Sequence, residues 1–71
     1  MSFDYNKLLG KMREKQVTQK MLAEEIHNTT STLCQKLNNK GYFKQNEICH
    51  ACAFLQIPVE EIGAYFFTQK V

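Results

Sequence analysis

The chain has 71 residues, of which 44% are hydrophobic and 23% are charged, and its formal net charge is +2. At this length we expect one domain over residues 1–71 with a single core, because a chain of roughly 60 residues buries only about 60% of the surface that its unfolded form exposes. No apolar run approaches the roughly 20 residues that cross a bilayer, so a transmembrane helix is excluded.

The cysteines and the charges bear on where the protein acts and what it binds. Cys34, Cys49 and Cys52 are odd in number and no signal peptide precedes them, so we expect a reducing cytosol rather than a disulfide scaffold. Residues 1–40 hold seven Lys or Arg against four acids, a balance of +3, and residues 41–71 hold two against three, a balance of −1. The N-terminal half is therefore the better candidate for an anionic partner.

Apolar residues recur at helical spacing almost throughout the chain, and no segment alternates like a strand. The first predicted helix begins at an Asp4 N-cap and closes at Gln16-Val17, and Thr18 is the expected N-cap of a second helix over about 19–26. The inward residues of these two helices are Tyr5, Leu8, Leu9, Met12, Leu22, Ala23 and Ile26.

A polar turn, His27-Asn28-Thr29, separates the second helix from a third helix over about 30–38. Asn and His tolerate a left-handed backbone better than most residues, and Thr29 is the expected N-cap of the third helix. Only Leu33 and Leu37 are expected in the core, so the other residues of this helix should face solvent. That surface consists of Thr30, Ser31, Thr32, Cys34, Gln35, Lys36 and Asn38.

Two further helices are predicted in the C-terminal part. A fourth covers about 45–55 and buries Ile48, Cys52 and Leu55, although Lys44 stands at its N-cap position without a structural reason. Pro58 suits the first turn of a fifth helix, which needs no N–H from that residue. The fifth helix carries the apolar residues Val59, Ile62, Tyr65, Phe66 and Phe67. The whole pattern predicts an all-α fold of five helices.

The exposed side of the third helix carries side chains that can contact base edges in DNA. Glutamine can bridge adenine N6 and N7, and Ser or Thr can donate or accept a hydrogen bond almost anywhere. In a helix-turn-helix the first residues of the second helix and one a turn later point into the major groove, which selects Thr30, Ser31 and Gln35 here. Gln19 starts the preceding helix and is placed to bind a phosphate. The alternative interpretation is an ordinary solvated helix face.

Residues 17–40 resemble the helix-turn-helix of the Cro/CI-like (XRE-type) phage regulators. The similarity rests on TQ at 18–19, LA at 22–23, TTSTL at 29–33 and LNNK at 37–40, and IPVEEI at 57–62 extends it over nearly the whole chain. Within that family the chain is most similar to the small regulators encoded opposite the CI repressor in Gram-positive temperate phages. One branch of these, the lactococcal modulator-of-repression type, acts as an antirepressor together with the CI repressor and resembles this chain most.

This resemblance implies a lambda-repressor-like domain, neither an enzyme nor a cofactor-binding protein, that regulates a phage lysis–lysogeny switch in the bacterial cytoplasm. One implied function is an antirepressor that binds the phage CI repressor and, alone or as that complex, operator DNA. The other is a stand-alone Cro-like repressor that acts as a homodimer. The implied DNA-contact residues are Gln19, Thr29, Thr30, Ser31, Gln35, Lys36 and Lys40.

Two departures from the family pattern concern the helix-turn-helix. His27 and Asn28 stand where the family usually has Gly and an aliphatic residue, so an apolar contact between the helices should be lost. Thr30 stands where the family often has Arg, which removes a group that reads guanine and attracts phosphate. A third helix with Lys36 as its only cation should bind DNA weakly as a monomer and need a partner.

The C-terminal Tyr65-Phe66-Phe67 cluster predicts a protein interface. A helix in a chain this short can turn only one or two of these rings inward, and an exposed aromatic cluster marks an interface more often than chance. The expected interface residues are Ile62, Tyr65 and Phe66, with Val71 beside them. Self-association and a different protein partner fit this pattern equally well.

The segment Cys49-His50-Ala51-Cys52 suggests zinc, with Cys34 or His27 as a further ligand. Tetrahedral sites usually draw their ligand pairs from turns, and no second close pair exists in the sequence. Core cysteines are the better interpretation, and no metal is predicted. A cysteine nucleophile is disfavoured as well, because no acid partner or Gly-rich anion loop accompanies His50.

Overall fold

Five α-helices account for more than half of the chain in the computed structural model, which describes residues 2–70. They are α1 (Asn6–Glu14), α2 (Gln19–Glu25), α3 (Thr30–Leu37), α4 (Gln45–Leu55) and α5 (Ile62–Phe66), with a 3-10 turn at Val59–Glu61. Between residues 2 and 70 the extended pairing is limited to one isolated bridge, which joins Phe3 and Gln69. The prediction of an all-α, five-helix fold is confirmed. None of the described helices has the length and apolar character needed to cross a membrane.

Threonine side chains cap the N-termini of both helices of the helix-turn-helix. Thr18 and Thr29 each accept, at 3.1 Å, the backbone N–H three residues later, a donor that the start of a helix leaves without a partner. Both predicted N-caps are therefore confirmed. Asp4 is not the N-cap of α1, because that position is taken by Tyr5, and the Asp4 carboxylate instead accepts the N–H of Asn6 at 2.8 Å.

The helices α1 to α4 each end with one residue in the left-handed backbone conformation, and none of these residues is a glycine. They are Gln16, His27, Asn39 and Gln56, with φ between 58° and 63°. In each case the N–H of the following residue donates to the carbonyl five residues earlier, at 2.7 to 2.8 Å. This is the Schellman arrangement, which satisfies carbonyls that a helix end leaves open. The left-handed conformation expected in the turn falls on His27.

A single core joins the helices of the described chain. Its buried apolar residues are Tyr5, Leu8, Met12, Leu22, Ala23, Ile26, Leu33, Ile48, Ala51, Cys52, Leu55, Ile57, Tyr65 and Phe66. Leu9 and Leu37, which the helical pattern places inside, are only half-buried and pack against the edge of this core. A row of aromatic rings, with centroids 5.4 to 6.4 Å apart, runs from Phe3 through Tyr5 and Phe43 to Phe66.

The C-terminal helix differs from its prediction. Pro58 precedes the 3-10 turn rather than opening α5, which comprises only five residues. Tyr65 and Phe66 are 5% and 2% exposed, so the expectation that they form a protein interface is wrong. Phe67 is 53% exposed and is the ring of the cluster that reaches solvent.

The two ends of the chain pair with each other next to α5. The Asp4 N–H donates to the Thr68 carbonyl at 2.7 Å, and the Lys70 N–H donates to the Ser2 carbonyl at 3.0 Å. This pairing lays the N-terminal segment beside α5 and closes the core there. Val71, which was expected beside the interface, lies outside the described residues.

Candidate nucleic-acid and protein interfaces

The helix-turn-helix formed by α2 and α3 presents a polar face to solvent. Gln19 begins α2, whereas Thr30, Ser31 and Gln35 lie on α3, and all four side chains are exposed. Lys40 follows α3 and is also exposed. These five residues are accessible as the sequence predicts, and their contact with DNA stays a prediction.

Thr29 is exposed, but its hydroxyl is already used within α3. The oxygen accepts the backbone N–H of Thr32 at 3.1 Å, and the hydroxyl donates to the Thr32 Oγ1 at 2.9 Å. The hydroxyl proton and one lone pair are engaged, so donation to a base would replace the bond to Thr32 Oγ1 while the cap is kept. Thr29 is therefore best understood as a residue that positions α3.

Lys36 does not face solvent, contrary to expectation. It is 8% exposed, and its Nζ donates to Oε1 of Glu47 on α4 at 2.6 Å. Position 36 lies three residues after the buried Leu33 and therefore on the inward side of α3. The expectation that Lys36 lies on the exposed face is wrong, and no DNA contact is assigned to it.

The carboxylate of Glu47 is buried and joins three parts of the fold. Besides the bond from Lys36, Oε1 accepts the Lys44 N–H at 2.9 Å and Oε2 accepts the Asn28 Nδ2 at 2.8 Å. Burial by itself raises the pKa of this carboxyl, but the bonds from Lys36, from the Lys44 N–H and from Asn28 together outweigh burial and lower the pKa below its ordinary value. The group is thus charged at neutral pH.

This network explains two positions that the sequence alone did not. Lys44 occupies the N-cap position of α4, and the Glu47 side chain three residues later accepts its N–H, which is one half of a capping box. The sequence predicts that Asn28 removes an apolar contact between the two helices. In the structure its half-buried amide instead donates a hydrogen bond to Glu47. A glutamate three residues after a helix start, combined with a polar turn and a lysine on an inward position, is the signal that could have revealed the network.

Pairing Lys36 with Glu47 leaves α3 without an unpaired cation, because Lys36 is the only basic residue in Thr30–Leu37. Exposed lysines flank the helix in the sequence, at Lys20 on α2, at Lys40 after α3 and at Lys44 before α4. Affinity for DNA comes largely from phosphates neutralised by such cations. The face of α3 can therefore form hydrogen bonds but attracts phosphate weakly.

A second surface is an apolar groove of 410 Å³ between the start of α4 and α5. It is lined by Phe43, Gln45, Ile48, Cys49, Ile62 and Phe67. Ile62 is the one predicted interface residue that lines this groove, and it is half-buried. Sequence reasoning missed Phe43 and did not assign Phe67 to the interface. Adjacency to the core residue Phe66 does not reveal that Phe67 is exposed, because Tyr65 is also adjacent to Phe66 and is buried.

The cysteines divide between the core and the surface. Cys52 is buried, and burial, with a smaller effect of Cys49, raises the pKa of its thiol. Cys34 and Cys49 are exposed, so the interpretation as core residues holds for Cys52 alone. Among residues 2–70 there is no group of three or more His, Cys, Asp or Glu side chains that could hold a metal ion.

The five helices, with a capped α2–turn–α3 unit and an exposed polar face on α3, define a small all-α protein of the helix-turn-helix type. The chain belongs to the family described as a protein of unknown function (DUF739), whose model matches residues 1–69.

A solved structure with the same fold is that of the modulator of repression (MOR) of the temperate bacteriophage TP901-1 from Lactococcus lactis. The two sequences are 41% identical, the match covers 100% of this chain and 96% of that chain, and the TM-score is 0.77. The resemblance to the lactococcal modulator-of-repression type is therefore confirmed. No curated protein matches the sequence.

Proposed function

We propose that the protein regulates repression in a temperate phage, and that it does so by binding the phage CI repressor. The similarity to the TP901-1 modulator of repression spans the whole chain and supports the regulatory function. The observation that carries the partner-dependent mechanism is the Lys36–Glu47 pair, which neutralises the only cation of α3. An antirepressor of this kind acts through a second protein rather than through strong DNA binding of its own.

In this mechanism the repressor supplies what α3 lacks. A partner with its own basic groups holds the complex on the phosphate backbone, since phosphate contacts provide most of the affinity and fix the register on the duplex. The exposed Thr30, Ser31 and Gln35 can then contact base edges of one half-site. The complex would read a different operator arrangement from that of the repressor alone.

The alternative is a Cro-like repressor that binds its operator as a homodimer. The side chains that favour it are the same exposed Thr30, Ser31 and Gln35, because they can form specific hydrogen bonds without a partner. Two copies would place their α3 helices in successive major grooves about one helical turn apart. The weak positive charge around α3 is the observation against it.

Fluorescence anisotropy on a duplex from the phage's own switch region separates the two functions. We expect the pure protein to bind this duplex and a scrambled duplex with similarly weak affinity, and to become selective when the CI repressor is added. Tight, selective binding by the protein alone would establish the Cro-like repressor instead. Selective binding under neither condition, without association of the two proteins, would exclude both.

A single substitution tests whether α3 reads bases in the complex. Gln35→Ala should weaken selective binding by about 1–3 kcal/mol and leave binding to the scrambled duplex unchanged. Asn6→Ala is the matched control, because it removes an exposed amide from α1 instead. Equal losses in the two variants would show that Gln35 makes no base contact.

A further inference from the structure

The two histidines of the chain lie side by side in the fold although they are far apart in the sequence. His27 is the left-handed residue between α2 and α3, and His50 lies on α4. Both side chains are exposed, and their ring centroids are 5.6 Å apart with an interplanar angle of 80°. We infer that this pair is a binding site for a divalent transition metal such as Zn²⁺.

The separation of the rings suits two imidazoles on one metal ion. Nitrogens that bind Zn²⁺ at about 2.0–2.1 Å in a tetrahedral arrangement place the ring centroids about 5 Å apart. The observed 5.6 Å is slightly larger. Because both rings are exposed, small rotations about their side-chain torsions bring one nitrogen of each ring to a common point.

The site offers two protein ligands, since no third His, Cys, Asp or Glu joins the pair within residues 2–70. Water or a group on another molecule fills the other coordination positions, as in sites that keep an open position. Imidazole nitrogen suits Zn²⁺, Cu²⁺ and Ni²⁺. The pair differs from the cysteine-based zinc site that the sequence suggests, because it uses no thiol.

A metal ion between these rings connects two elements that are already joined by the neighbouring residue. Asn28 donates to Glu47 on α4 at 2.8 Å. His27 directly precedes Asn28, and His50 lies about one helical turn after Glu47 on α4. The metal therefore adds a second link between the turn and α4. This link restrains the direction in which α3 leaves the turn, and it stabilises the folded state because the unfolded chain does not hold the two rings together.

Thermal unfolding of the full chain with ZnCl₂, and then with excess EDTA, tests the site. The experiment uses the Cys34→Ser/Cys49→Ser variant beside the parent protein, so that the exposed thiols cannot bind zinc. Cys52 is kept because its thiol is buried and its pKa is raised. We expect Tm to rise by about 5–10 °C at a zinc concentration roughly ten times the Kd, and EDTA to reverse the rise.

Two histidine variants in the same background identify the ligands. His50→Gln and His27→Asn should each abolish the rise, and asparagine tolerates the left-handed backbone at position 27. Glu24→Gln, which neutralises an exposed carboxylate on α2, should retain it. In the serine background, zinc should also shift the ¹⁵N resonances of both imidazole rings, a measurement that does not depend on stability.

Three results would overturn the inference. They are the absence of any zinc response in the serine background, a response that survives either histidine substitution, and a response that Glu24→Gln abolishes. The last would assign the metal to carboxylates rather than to the two rings. None of these outcomes bears on DNA or repressor binding, so they leave the proposed regulatory function untouched.

Discussion

Glu47 is buried at the start of α4 and accepts hydrogen bonds from Lys36, from Asn28 and from the Lys44 N–H. A buried carboxylate is costly unless such donors surround it, and each bond to a charged group contributes about 1.5–3 kcal/mol. The donors come from α3, from the turn before it and from the start of α4. We therefore expect this network to specify how α3 sits against α4 more than to raise the overall stability.

Replacing Lys36 by Met should lower the free energy of unfolding by about 3 kcal/mol, because Glu47 stays buried without its cation. In Lys36→Met/Glu47→Gln the buried charge is also removed, and about 1 kcal/mol or more of the loss should return. Urea unfolding measures both variants. Lys20→Met, at an exposed position of α2, is the control and should change the free energy by less than about 0.5 kcal/mol. A double variant no more stable than Lys36→Met would show that the unpaired charge is not what makes the single change costly.

Glu47 also makes stability depend on pH. Its pKa is lowered in the folded chain from the ordinary 4.5, so the unfolded state binds a proton more readily than the folded state. The resulting stabilisation is complete above the pKa of the unfolded state and is lost as pH falls through the lowered pKa of the folded state. Urea midpoints of the parent protein and of Glu47→Gln should differ most at pH 7 and converge as the pH falls through 4.5 and below it. A difference that stays constant over this range would contradict the lowered pKa.

Among the side chains that form hydrogen bonds, the two that the sequence placed correctly have local partners. Thr18 and Thr29 bond to N–H groups three residues away, and their cap positions follow from residue type and spacing. Lys36 is different, because its type alone predicts exposure and its partner lies 11 residues away on another helix. Packing brings the two together, and no local pattern contains that information.

At the scale of the helix, we expect the first residues of α3 to differ in function, with Thr29 supporting stability and Thr30 supporting the proposed DNA recognition. Thr29→Ala removes the cap and should cost about 1 kcal/mol in the free energy of unfolding. Thr30→Ala, at the next and exposed position, should change it by less than about 0.5 kcal/mol. Urea unfolding compares the two variants, and anisotropy with the repressor complex should show the reverse order for loss of selective DNA binding. A Thr30→Ala variant as unstable as Thr29→Ala would mean that Thr30 supports the fold rather than recognition.

The helices themselves were predictable, and their ends were less so. Apolar spacing locates α1 to α4 within a few residues, because amphipathic periodicity is a property of each segment. α5 is shorter than predicted and buries both Tyr65 and Phe66. These rings pack against distant parts of the chain, since Phe66 lies 5.4 Å from the Phe43 ring and Lys7 Nζ lies 5.0 Å from the centre of the Tyr65 ring. The interface prediction failed at these residues for that reason.

At the scale of the whole molecule, the fold was predictable and the binding faces were not. Residue type and resemblance together lead to an all-α helix-turn-helix chain, which the structure and the match to the TP901-1 protein confirm. The excess of positive charge in residues 1–40 also suggests an anionic partner for that half. Only the structure reveals that Lys36, the only cation of α3, is buried in an ion pair with Glu47.

The distribution of free cations predicts how DNA binding depends on salt. Each phosphate neutralised contributes about −0.9 to the slope of log affinity against log salt concentration. The exposed cations nearest α2 and α3 in the sequence are Arg13, Lys15, Lys20, Lys40 and Lys44, so one copy of the chain should show a slope no steeper than about −4.5. Anisotropy titrations on the switch-region duplex at four salt concentrations measure this slope.

Two variants show whether the slope comes from this surface. Lys40→Ala should reduce it by about 1, whereas Lys70→Ala, an exposed lysine near the other end of the chain, should leave it unchanged. Addition of the CI repressor should steepen the slope, because the partner brings phosphate contacts of its own. A slope near −9 for the protein alone is about twice what one copy can supply. That result would place two copies on the duplex and favour the homodimeric repressor over the antirepressor.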